Sequence, residues 1–121
     1  MNAKLIVAIV LAVLLITGGV LEVVFIEKTL DAFSSKVSGY LENGFTVEQL
    51  QETHDWWLKK SKIVELTIPY TQLIEISVTY SELLGAVKIE DFDSANALLT
   101  RVLDYIVQVK HVYGFNFSHV L

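Results

Sequence analysis

Three histidines, His54, His111 and His119, have the broadest chemical repertoire in this chain, as metal ligands or as general acids and bases. A di-iron site in a helical bundle requires Glu-x-x-His on the inward faces of two helices. Here His54 and His111 are preceded at that spacing by Gln51 and Gln108, so the motif is absent twice. No ligand spacing joins the histidines, and no cysteine supplies a thiolate, a disulfide or a nucleophile. Serine, histidine and aspartate all occur, but without a nucleophile elbow or a glycine-rich oxyanion turn. The sequence therefore reads as non-enzymatic, with no catalytic residue, metal site or cofactor assigned.

Recognition is the chemistry that remains. Adjacent helix positions point about 100° apart, so Trp56 and Trp57 cannot both enter one core. The plain reading puts Trp57 in the core and leaves Trp56 partly covered. The sharper one makes the pair a docking surface, because exposed aromatics are enriched at interface hot spots. Tyr40, Tyr70, Tyr80, Tyr105 and Tyr113 read as half-buried, each hydroxyl reaching water. Lys59, Lys60 and Lys62 read as a solvated face, or as a cluster meeting lipid headgroups or an acidic partner. The candidate interaction residues are Trp56, Trp57, Lys60, Tyr70, Phe115 and Phe117.

Charge narrows the partners. Setting Lys4 aside leaves eight of the nine basic residues against all 14 acidic ones, a net of −6. That balance disfavours nucleic acid, whose affinity depends on neutralising phosphates, and a general grip on anionic lipid. Mean hydropathy is +0.51, high for a soluble domain. Much of the excess lies in Leu5 to Leu21, 17 residues without a charge.

A helix needs roughly 17–25 apolar residues to cross a bilayer, and this run meets the lower bound. A cleaved signal peptide competes: Lys4 gives the basic region, Leu5–Ile16 the apolar one and Thr17-Gly18-Gly19 a small-residue end. Against cleavage, apolar residues continue through Val20, Leu21, Val23, Val24, Phe25 and Ile26, and no A-x-A site appears. A wholly buried helix of a soluble bundle also competes, but so small a domain could hardly cover it. The favoured reading is an uncleaved anchor in the cell membrane over 1–22, touching lipid through residues 5–21. Lys28 and Lys36 follow the span and Lys4 precedes it, so the positive-inside rule is indecisive. The short N-terminal segment favours a signal-anchor layout, with the N-terminus cytoplasmic and the domain extracytoplasmic.

The rest, 23–121, must position the candidate residues. Val23, Ile26, Leu30, Phe33, Val37 and Tyr40 recur at spacings of 3 and 4, one face of a helix continuing from the anchor. Gly18-Gly19 is expected to loosen it, and Asn43-Gly44 to stop it. Thr46 with Gln49 forms a capping box and Phe45 with Leu50 a hydrophobic staple. A second helix follows, with Val47, Leu50, His54, Trp57, Ser61 and Val64 inward, ending near Ile68 before Pro69. Pro69 suits the start of a third helix, with Leu73, Ile76, Tyr80, Leu83 and Val87 inward. Gly85-Ala86 is expected to admit a close neighbouring backbone. Asp91 caps a fourth helix to Tyr113, with Ala95, Leu99, Val102, Ile106 and Val109 inward, and Gly114 closes it. The tail, carrying Phe115 and Phe117, reads as extended against the bundle. The predicted fold is all-α: an N-terminal transmembrane helix continuing into an up-down antiparallel four-helix bundle.

With these residues in place, the chain resembles the bacterial family called domain of unknown function four-three-six-three. The matching stretches are Trp56-Trp57, the block from Pro69 to Ile76, the turn from Glu90 to Ala95, and the end from Phe117 to Leu121. Two positions depart from the family pattern: Tyr70, where a histidine is usual, and His119-Val120, where tails more often carry Asn-Ile. The resemblance implies a small single-pass protein of spore-forming Gram-positive bacteria with a helical remainder, accompanying a larger multi-pass membrane protein. It implies no activity.

Two functions follow as expectations. One is a membrane-anchored interaction protein, a non-catalytic companion of another membrane or envelope protein. The other is an extracytoplasmic small-ligand-binding or sensory bundle. Heptad-like seams leave a homo-oligomer open.

Overall fold

The structure is a computed structural model that describes residues 2–112. Four helices follow in order: α1 (Ala3–Asn43), α2 (Val47–Val64), α3 (Tyr70–Lys88) and α4 (Phe92–Lys110). Helix α1 packs on α2 and α4, and α3 packs on α2 and α4, with the α3–α4 interface the most extensive. Short connections between consecutive neighbours make this an up-down ring of four helices around one core.

Helix α1 is 41 residues long, about 60 Å at the usual rise, and passes through Gly18-Gly19 without a break. Among the described residues its first half is almost uncovered, with only 6% of its most apolar stretch buried. Among the described residues it is the one helix long and apolar enough to cross a membrane. Its second half is a bundle helix, with Ile26, Thr29, Leu30, Phe33 and Val37 buried. Gly44, at φ 85°, ends it, and its N–H reaches the Tyr40 carbonyl.

The capping box at α2 is complete, with the Gln49 amide on Thr46 Oγ1 at 3.1 Å and the Thr46 amide on Gln49 Oε1 at 2.8 Å. Two expectations shift in α2. Val47, in the unpaired first turn, is 43% exposed, and Thr53 is buried where His54 was expected to be. The helix also stops at Val64, and successive turn hydrogen bonds carry the chain through Glu65, Leu66 and Thr67 to a buried Ile68. Pro69 is the cap of α3, just outside its first turn.

Every expected core position of α3 and α4 within the described residues is buried. Gly85 instead faces away from any neighbour, and an added Cβ there would meet nothing within 4 Å. Helix α3 ends with Glu90 at φ 60° and the Asp91 amide on the Ala86 carbonyl at 2.9 Å. That is a Schellman closure carried by a glutamate where glycine is usual. Asp91 then caps α4 by accepting from the Ser94 amide at 3.2 Å.

Candidate interaction surface

Position 33 organises the aromatic centre. Phe33 of α1 meets Trp57 of α2 at 4.8 Å between centroids and Tyr80 of α3 at 6.0 Å. Trp57 is fully buried and its Nε1–H donates to Ser77 Oγ at 3.3 Å. Tyr80 is also fully buried, contrary to the half-buried reading, and its hydroxyl donates to the Leu50 carbonyl at 2.7 Å. Burial pushes its phenol well above the usual tyrosine range, and neighbouring Tyr40 adds to the shift. Tyr40 is half-buried, with its hydroxyl 2.7 Å from Thr53 Oγ1.

Of the tryptophan pair, only Trp56 reaches the surface. Its ring stands edge-on to Phe33 at 5.6 Å, and the Lys36 ammonium lies 5.4 Å from its centroid. One turn on, Lys60 sets its ammonium 5.5 Å from the Phe25 centroid. Lys60 therefore sets its charge over an aromatic ring and is half-buried, whereas Lys59 and Lys62 are exposed. Such contacts at exposed sites contribute about 0.5–1 kcal/mol each. Trp56 and Lys60 thus share the α1–α2 seam, a stripe of aromatic faces, each with a cation over it.

Tyr70 lies apart from this stripe. It is the first residue of α3, 58% exposed, and borders an open groove with Ile74, Ser77 and Val78. The candidates Phe115 and Phe117, like Tyr113, Gly114 and His119, lie outside the described residues.

Helix ends show two links that sequence reasoning missed. The Thr67 hydroxyl donates to the Glu22 carboxylate, tying the α2–α3 turn to α1 where its charge-free run ends. Lys110 at the end of α4 pairs with Asp31. Neither has a local signal, because each joins residues brought together only by the bundle.

His54 stacks on Tyr80 at 5.5 Å and 16°, and its buried Nδ1 has no hydrogen-bond partner among the described residues. No group of three His, Cys, Asp or Glu that could hold a metal ion occurs among the described residues. A notch of about 170 Å³ lies between α3 and α4, lined by Thr71, Gln72, Glu75, Tyr105, Gln108 and their neighbours. Asp91, held below the usual carboxylate range by its hydrogen bonds from Ser94, belongs to the α4 cap. Comparison with models of protein families, with curated proteins and with solved structures finds no match for this chain.

Proposed function

We propose that this chain is a single-pass membrane protein whose helical bundle docks non-catalytically on another membrane or envelope protein. One observation carries this reading: α1 is a single helix whose uncovered apolar half continues without a break into a half buried in the bundle. A rigid shared helix fixes the bundle's height and rotation over the bilayer, which suits presenting a side surface to a membrane neighbour. The α1–α2 seam is the surface assigned to this docking, with Trp56 as the anchor and Lys36 and Lys60 beside it. In this reading the N-terminus is cytoplasmic, the bundle is extracytoplasmic and the chain belongs to the family it resembles.

The alternative, a small-ligand or sensory bundle, is supported by the polar notch between α3 and α4. Its roughly 170 Å³ falls below the about 300–1,000 Å³ of ordinary ligand pockets, and the larger recesses, such as the one of about 470 Å³ beside Tyr70, are open surface grooves. Docking is therefore preferred. Photo-crosslinking in native membranes from a reactive residue at Trp56, with a second site at Lys60, tests it. The expected result is one heavier adduct containing another membrane protein. Self-adducts alone, or none at either site, would contradict it.

A further inference from the structure

We infer that the α2–α3 turn is a second membrane contact, with Leu66 resting in the interface of the same phospholipid bilayer that α1 crosses. This rests on the anchor reading above, and the juxtaposition behind it is the bond between Thr67 and Glu22. Glu22 is the first charge after the apolar run, so in a spanning helix it marks the hydrocarbon edge. The Thr67 hydroxyl donates to its carboxylate, which sets the turn at that height. The next residue back, Leu66, is 78% exposed, and Ile63 and Tyr70 on either side are 45% and 58% exposed.

Length favours the contact. Seventeen residues rise about 25 Å, short of the roughly 30 Å hydrocarbon thickness, so the bilayer edge is drawn toward the base of the bundle. Charge favours it too. Lys59 and Lys62 approach this turn on α2 and are exposed, at a height where lipid phosphates lie. The acidic surplus sits at the opposite end, where Glu42, Glu48, Glu90, Asp91 and Asp93 surround the other two connections. At the membrane end Glu22, Glu27 and Glu65 are offset by Lys28, Lys59, Lys60 and Lys62, so the bundle turns its least acidic end to the lipid and carries most of its negative surplus away from it. An apolar side chain in this setting sits about 5–10 Å into the headgroup region.

The chain has no cysteine, so single-cysteine labelling is clean. Full-length Leu66→Cys, Leu11→Cys and Ile89→Cys proteins, each carrying a bimane label, would be reconstituted in phosphatidylcholine–phosphatidylglycerol vesicles. Spin-labelled lipids with shallow or deep nitroxides then serve as quenchers. Ile89 is the control, since it is 76% exposed at the far end of the bundle. The expected pattern is quenching at position 66 by shallow lipid, at position 11 by deep lipid, and none at 89. Quenching at 11 with none at 66 overturns the contact while leaving the span intact. No quenching at 11 overturns the span and the contact together. Equal quenching at 66 and 89 overturns the specific placement of the turn.

Discussion

The Tyr80 hydroxyl and the Leu50 carbonyl, 30 positions apart in sequence, are joined by a 2.7 Å hydrogen bond inside the core. It ties α3 to the first turn of α2, between the capping box at Thr46 and the mid-helix point where Phe33 meets Trp57. Tyr80→Phe removes the donor while leaving the ring in place. The full chain in detergent micelles is expected to lose about 1 kcal/mol in denaturant unfolding. An unchanged midpoint would show the bond to be energetically silent.

The same residue sets an alkaline limit. Its folded pKa lies above the unfolded value near 10, so its contribution is fully present below about pH 10 and is lost as pH rises through the folded pKa. Stability should decline above about pH 10 with a slope of up to about 1.4 kcal/mol per unit from this group. Tyr80→Phe is expected to flatten that decline, as read from unfolding midpoints across an alkaline series.

The adjacent tryptophans should separate cleanly. Trp57→Ala empties a fully buried site and should cost about 3–5 kcal/mol. Trp56→Ala, at a half-buried site, should cost about 1–2 kcal/mol. Trp56→Ala should abolish partner crosslinking from Lys60 with the bundle still folded by circular dichroism. Equal destabilisation by both would contradict the division into core and surface.

Glu90 holds a left-handed backbone conformation that costs a residue with a Cβ about 1–2 kcal/mol relative to glycine. Part of that gain is offset by the extra freedom glycine brings to the unfolded chain. Glu90→Gly should therefore raise stability by about 0.5–1 kcal/mol in chemical unfolding, with no change in helix content. A loss of stability would mean that the Glu90 side chain contributes at this turn.

Helix count, order and most inward positions were legible in the sequence because a bundle seam repeats every three or four residues. Leu73, Ile76, Leu83, Leu99 and Ile106 carry that signal without competition. It blurred at the seam's edge, where Thr53 and His54 are both spaced to face Leu50 and Trp57, and hydropathy does not choose between them. The restart at Thr46 was legible because a capping box is local. The end of α2 was not, because the turn after Val64 is held by Ile68 burying itself and by Thr67 reaching Glu22. Tyr80 looked amphipathic because its partner, a carbonyl 30 residues earlier, is invisible until the helices are packed. For the candidate surface, the sequence separated Trp57 from Trp56 and singled out Lys60 among its neighbouring lysines, but not the ring that Lys60 meets. That partner is Phe25, which only the packing of α1 on α2 brings beside it.

The central claim is that α1 is a retained anchor built into the bundle it carries. The most direct measurement is fractionation of cells producing the full chain, with the membranes washed in alkaline carbonate and the protein's intact mass determined. The account predicts that the protein stays in the membrane pellet at the mass of the complete 121-residue chain. Release into the carbonate wash, or a mass lacking the first twenty or so residues, would contradict it.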